Sequence, residues 1–546
     1  MDPSAERTKV VWREWDPTAF AAARERGCPV LLSLSARWCG WCHAMDRATY
    51  DEPRVAANVN DDFVPVRVDV DRRPRVRERY NVGGFPSTVF LTPDGEVLTG
   101  ATYLDADGMR QVLDRVRERW DESGADAGRV PRALRETDAP RAAVTVDVER
   151  LVAGQLTEQY DDAHAGWGTD VKFPLPDAIE FALKRERAQA LATLDAITAH
   201  LYDDAAGGFF RYAGRRDWSS PQREKLLGLN ARLVGAYASA YLSTGDDAYL
   251  DPARGTVEYL TSTLWTGDAF GGSQEPVPAD HRPDAARATG ADPPIGGTAF
   301  ADANANAATA LLALCAYTDD EHARRYAART LAFIDSRLVA DGVVTHFEGS
   351  DSTCLLADQA AVCRAFTTAA QVLDPAYVGA ARTVADATVE RLATDGVFVD
   401  GPADGPGLLD RPLRPIDENA AMANALVDLH ALTGVGEYRN RALDAVGAFA
   451  GAADRMGVQL AGYATAAARA VRPPLRIAVA DEPGSDLNRA ALRMADHEKV
   501  VVPRAAEHFP DEDYEPGRAY VLSGDDVSAP AATPTELADR VSASAG

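Results

Sequence analysis

Two cysteines three positions apart, in the run Trp38-Cys39-Gly40-Trp41-Cys42-His43, carry the spacing in this sequence best suited to chemistry. Two spacer residues set one thiol a helical turn from the other. A thiolate at Cys39 can then attack a disulfide, and Cys42 can resolve the mixed disulfide and release the reduced partner. The attacking sulfur must be ionised, which calls for a lowered pKa. Arg37 and Arg47 bring positive charge nearby, and a helix beginning at the motif would add its first N–H groups and its macrodipole. Three other readings compete. Cys-x-x-Cys-His is also a haem attachment signature, but that needs an exported chain and a distal axial ligand. Zinc needs four ligands, and no second Cys/His cluster is visible. The third is a dithiol that persists without turnover. Cys28, Cys315, Cys354 and Cys363 read as buried small hydrophobes, since six cysteines in 546 residues do not make a disulfide framework.

The elements that must position the pair are readable around it. Residues 16–27 read as a helix and 30–36 as an apolar strand, and the motif turns into a helix ending near 50. A strand over 64–70 and a short helix over 75–80 come next. Then Pro86 opens a strand, Pro93, Asp94 and Gly95 make a hairpin turn, and 106–120 form an amphipathic helix. The order β-α-β-α-β-β-α resembles thioredoxin. That resemblance implies that Pro86 is cis and, with Phe85, forms the wall on which a substrate backbone docks, while Trp38, Trp41 and His43 complete the redox site. It also implies a buried carboxylate six residues before the first motif cysteine. Ser33 stands there instead, so His43 or water must take the proton from the resolving thiol.

From residue 146 onward, Ala/Leu/Val-rich helices alternate with glycine-rich loops in a degenerate repeat. Acidic turns precede Tyr249, His322, Tyr377 and Tyr438, and irregular loops such as Gly207-Gly208-Phe209-Phe210 and Asp395-Gly396-Val397-Phe398 recur between hairpins. Counting helices gives ten to twelve, the number that closes an (α/α)6 toroid.

Here the whole chain resembles the YyaL/spermatogenesis-associated protein 20-like family, a thioredoxin-like domain followed by a six-hairpin glycosidase-like barrel. Several stretches carry the likeness: the motif running on to Met45; Gly166-Trp167-Gly168 with Lys172-Phe173-Pro174; Gly207 to Tyr212 with Trp218; and Glu224-Lys225 with Asn230. Gln274-Glu275, Asp302 with Asn304, Asp358, and Asp417 with Asn419 continue in the family's order. The departures are Gly40 where the family has His, Gln222-Arg223 and Gly228-Leu229 in place of its His-Phe and Tyr-Asp, and the missing acid-rich run after Glu275. The likeness implies a candidate toroid site of Lys172, Trp218, Glu224, Lys225, Glu275, Asp302, Asn304, Asp358 and Asp417. Its carboxylates would be the acid and base of a glycosidase, with Trp218 and Phe210 as sugar platforms.

The domain expectation is therefore a thioredoxin-like domain at 1–128, an (α/α)6 toroid at 129–460 and a small α/β segment at 461–546. Formal charge is −26, and the 57 basic residues include only five lysines. Such a surface stays hydrated in molar salt and argues against nucleic acid as a partner. No apolar run reaches membrane-spanning length, so a cytoplasmic protein of a salt-adapted cell is expected. The function expected is thiol–disulfide exchange on a protein partner, with the toroid recruiting a protein or carbohydrate-like ligand and with no cofactor or metal. The alternative is a carbohydrate-active toroid whose thioredoxin-like domain is structural.

Overall fold

A computed structural model describes residues 8–135, 139–276, 293–509, 511–524 and 526–544. By contact the chain divides into two units. The first comprises residues 1–137 together with two later excursions, 274–296 and 400–413; the second takes the rest.

The first unit has the expected order: α1 Pro17–Arg26, β1 Val30–Ser35, α2 Gly40–Met45, α3 Pro53–Asp62, β2 Val64–Asp69, α4 Pro74–Tyr80, β3 Ser87–Leu91, β4 Val97–Ala101 and α5 Ala106–Ser123. Asp16 caps α1 by accepting from the Ala19 N–H, and Gly27 ends it at a left-handed φ of 62°. The sheet order is β2-β1-β3-β4, with β1 parallel to β2 and antiparallel to β3. β1, buried on both faces, reads Val30-Leu31-Leu32-Ser33-Leu34 without alternation, as a central strand should. Its core joins Leu31, Met45, Tyr50, Phe63, Phe90 and Leu113.

The excursion at 400–413 was expected in the helical body, yet it completes this unit. Arg79, whose side chain is fully buried, reaches Asp400 at 2.7 and 3.2 Å and also donates to the Leu408 and Arg411 carbonyls. Arg75 adds a 3.0 Å contact to the same carboxylate. A buried carboxylate shared by two guanidiniums fixes α4, the helix that leads into Pro86.

The second unit is a closed ring of twelve helices, α6 Asp147–Glu158 through α17 Ala461–Val471. The inner helices are α7 Pro176–Arg185, α9 Leu227–Thr244, α11 Ala301–Thr318, α13 Leu356–Val372, α15 Ile416–Thr433 and α17. Each touches the next, and α17 returns to α7. Outside them lie α8 Arg187–Leu201, α10 Leu250–Tyr259, α12 Glu321–Phe333, α14 Tyr377–Leu392, α16 Gly436–Gly447 and α6, each packed on an inner partner. The ring therefore runs to 471 rather than 460, because the Ala-rich segment at 461–471 is its last inner helix.

The chain beyond the ring is the expected small α/β segment, and its topology is recognisable. Labelling the C-terminal elements in order gives β5 Arg476–Val479, α18 Asp486–Leu492, β6 Val500–Pro503, α19 Ala505–His508, β7 Ala519–Ser523, β8 Asp526–Val527 and α20 Pro534–Ser544. The sheet order is β6-β5-β7-β8, with β5 parallel to β6 and antiparallel to β7. Element order and strand pairing repeat those of the first unit, so this is a second thioredoxin-like sheet without cysteines. Alternate residues serve its two faces: Ile477 and Val479 face α18 and α20, while Ala478, Val500 and Val502 pack toward Ala370, Ala431 and Leu432 of the ring. Among the described residues no helix is long and apolar enough to cross a membrane.

Candidate functional site

Cys39 is the residue before α2, and its Sγ accepts the Cys42 N–H at 3.1 Å. An N-cap position presents the sulfur to the unsatisfied N–H groups and positive end of the helix, which favours an anion there. The two sulfurs are joined as a disulfide, and Cys39 and Cys42 are 5% and 3% exposed. The Phe85–Pro86 bond is cis, and the Phe85 ring meets Trp38 edge-on at 5.9 Å. Trp38 Nε1 donates to Asp71 at 2.7 Å, which fixes the indole beside the motif. Trp41 is 55% exposed and packs edge-on against the exposed Tyr103, an aromatic ridge next to the buried pair.

Glu275, assigned from sequence to the toroid, belongs to this unit instead. Its carboxylate takes Arg37 Nε at 2.7 Å and stands 3.9 Å from His43 Nε2. His43 Nε2 also lies 2.7 Å from the Arg37 carbonyl oxygen. A carbonyl only accepts, so Nε2 carries the proton and donates, which leaves Nδ1 as the ring's basic atom.

Beneath the motif, the place of the missing carboxylate is filled by a polar group that sequence reading did not find. Arg67 pairs with Ser33 in register. Its guanidinium lies over Trp12, 4.3 Å from the ring centroid, and forms an ion pair with buried Asp46, one turn along from Cys42. Tyr50 and Thr88 close the pocket with a 3.1 Å hydroxyl contact. At the end of β2, burial and the neighbouring Asp71 charge push the Asp69 carboxyl up to about 6. The alternation of β2, Val64-Pro65-Val66-Arg67-Val68-Asp69, carried the signal: polar residues on one face of a strand flanked by apolar segments.

Of the remaining toroid candidates only Asp302 and Asp358 come together as possible ligands, and none lines the cavity inside the ring. Lys172 is fully buried, 3.0 Å from Asp161, and donates to the Ala165 carbonyl. Trp218 is 1% exposed, with Nε1 bonded to the His164 carbonyl at 2.8 Å; it pins the same loop and is no sugar platform. Phe210, 8% exposed, is equally covered. Lys225 is fully buried against Asp203 at 2.9 Å and over the Tyr259 ring. Glu224 pairs with Arg211 at 3.2 Å, and burial pushes its carboxyl up. Asp417 is exposed in the first turn of α15. Asp358 receives His346 Nδ1 at 3.0 Å and the Asp302 N–H at 3.2 Å. Asp302, His346 and Asp358 are the group among the described residues with metal-ligand spacing; His346 was missed from sequence.

The recurring amide has a structural explanation. Asn304 accepts from the Phe270 N–H and donates to the Phe270 and Phe300 carbonyls, at 2.9 to 3.0 Å. Asn230 clasps Phe209 and Asn419 clasps Phe398 in the same way, each from the fourth residue of its inner helix. At the equivalent place in α13, Gln359 holds Val344. A single primary amide satisfies both polar groups of one buried residue, so the motif ties each loop to the ring. Gly208 is required beside it: at φ 75°, a Cβ would stand 2.6 Å from the Tyr259 ring.

The family model Thioredox_DsbH, described as a protein of unknown function, DUF255, matches residues 4–136. Human spermatogenesis-associated protein 20 is 31% identical over 294 residues, a stretch covering 47% of this chain and 37% of the human protein. The chain thus spans well under half the length of that relative. Thiol:disulfide interchange protein DsbD 1 of Pseudomonas aeruginosa is 32% identical over 108 residues, 18% of each chain. Among solved structures, cellobiose 2-epimerase from Spirochaeta thermophila aligns with 55% of this chain and 83% of its own, at 18% identity and a TM-score of 0.43.

Proposed function

We propose that this chain is a member of the YyaL/spermatogenesis-associated protein 20-like family, supported by the family model over 4–136 and the likeness to the human protein, and that its first unit is a thiol–disulfide oxidoreductase acting on a protein disulfide in a salt-rich cytosol. The observation that carries the reading is the Cys39–Cys42 pair at the start of α2, with the Cys42 N–H aimed at Cys39 Sγ. In the reduced state, Cys39 thiolate attacks one sulfur of the substrate disulfide; an S–S bond forms as the substrate's breaks, and one substrate thiolate leaves. Cys42, deprotonated, attacks Cys39 Sγ, closes the intramolecular disulfide and releases the second substrate thiolate. Two electrons pass to the substrate, and a dithiol reductant restores the pair. The proton of Cys42 goes to His43 Nδ1 or to water, since Ser33 offers no carboxylate. The Trp41–Tyr103 ridge and the Phe85–Pro86 wall receive the substrate backbone. Likeness to DsbD 1 over 108 residues supports the reading. Cys42→Ser in the full chain, incubated in molar KCl with a disulfide-bonded protein, should accumulate a mixed disulfide on Cys39 that dithiothreitol releases. Equal trapping on Cys315 or Cys28, or none on Cys39, would overturn it.

A further inference from the structure

The lumen of the helical ring holds a cavity of about 190 Å³. Side chains from all six inner helices line it, and His497, Glu498, Lys499 and Val501 of the C-terminal sheet domain close one end. Gly235, Ala310, Ala313 and Gly462 leave the space, and polar side chains project into it. That is room for about six waters' worth of volume, the size of one monosaccharide.

The polar groups fall into two sets. Asp177 is ion-paired with Arg232, and Arg469 is ion-paired with Asp428 and bonded to Asn424. These pairs are internally satisfied, yet Arg232 and Asp177 keep 40% and 43% of their side-chain surface free because they face the cavity. In the second set, the side-chain polar groups of Arg364, Glu180, Asn306 and Tyr317 make no hydrogen bond and no ion pair within 4 Å to any described residue. Arg364 is exposed and Glu180, Asn306 and Tyr317 are half-buried where they line the cavity, so their side-chain hydrogen-bonding groups are open to water or a ligand there.

Their chemistry is selective. Arg364 is a guanidinium without a carboxylate, on the inner helix α13. Burial pushes the Glu180 carboxyl up, and the Arg364 guanidinium nearby works against that. Burial also pulls Lys499 at the closed end down to about 7, and Arg364 has no carboxylate within 4 Å among the described residues. A planar carboxylate matches the guanidinium fork, whereas a neutral sugar would leave it unanswered.

We propose that the lumen binds a small hydroxylated carboxylic acid of the sugar-acid class, with Arg364 taking its carboxylate and Glu180, Asn306 and Tyr317 its hydroxyls. The site is independent of the dithiol and lies within one unit of the chain. It is tested by calorimetric titration of the full chain with glucuronate and with glucose, in wild type, Arg364→Gln and Cys39→Ser. Glucuronate should bind wild type and Cys39→Ser alike, at least tenfold more tightly than glucose, and Arg364→Gln should lose that preference. If Arg364→Gln does not fold, Arg364→Lys serves, with severalfold weaker glucuronate binding expected from the lost fork. Absence of glucuronate binding to wild type, glucose binding as tightly as glucuronate, or a preference unchanged in the Arg364 variant would overturn the proposal.

Discussion

Asp69 offers a stringent test of the electrostatics beneath the redox motif, through Asp69→Asn. The folded pKa is pushed from 3.8 up to about 6, mainly by burial and next by Asp71. A rise of that size corresponds to about 3 kcal/mol between the two protonation states. Proton binding sets the sign. Between pH 4 and 6 the folded unit holds a proton that the unfolded chain has released, so this residue's contribution to stability falls as pH rises through that window. Below pH 4 both states are protonated and the raised pKa has no effect, whereas above pH 6 the whole penalty stands. Asparagine imitates the protonated acid at every pH. Asp69→Asn and wild type should therefore be about equally stable near pH 4, with the variant gaining to about 3 kcal/mol by pH 7. Hydrogen exchange of the β1 and β2 amides across urea, at pH 4 to 7.5 in molar KCl, reads the difference within this unit. A gap independent of pH, or one that widens toward acid, would refute the reasoning.

Asp400→Asn should leave the buried Arg79 guanidinium without its carboxylate and destabilise the first unit by about 3 kcal/mol. Faster exchange over residues 75–91 would register it, and unchanged exchange would dismiss the excursion as ornamental. Asn304→Ala removes three buried hydrogen bonds to Phe270 and Phe300 and should cost about 3 kcal/mol or more. Thermal unfolding measures it; a variant as stable as wild type would place Asn304 back among the candidate ligand-binding residues.

Local chemistry made much of the first unit legible. Asp16, Gly27, the Cys39–Cys42 spacing, Pro86 and the Pro93-Asp94-Gly95 turn each act over a few residues, and the elements fall within a few residues of their expected limits. The ring was legible because its repeat is long and its helices apolar. The amides were harder. Asn304 and Asn230 belong to residue types that bind ligands and also clasp backbone, and spacing alone does not separate the two roles. Lys172 and Trp218 misled for the same reason: distinctive residues on loops serve to hold the loops. Glu275 and Asp400 join the first unit over separations of 238 and more residues, which no local pattern encodes. The polar residues of the lumen sit inside Ala-rich helices that are buried nearly all round, where periodicity marks no face. The C-terminal segment was legible as a small α/β unit, but its thioredoxin-like topology was not, because no motif cysteine marks the turn after β5.

A redox titration of the full chain in molar KCl, counting free thiols by mass spectrometry with Cys39→Ser and Cys42→Ser as controls, tests the central claim most directly. One two-electron transition is expected between about −300 and −120 mV, lost in either variant. Cysteines 39 and 42 that stay unpaired across that range, and react no faster than Cys315, would contradict thiol–disulfide exchange at this site.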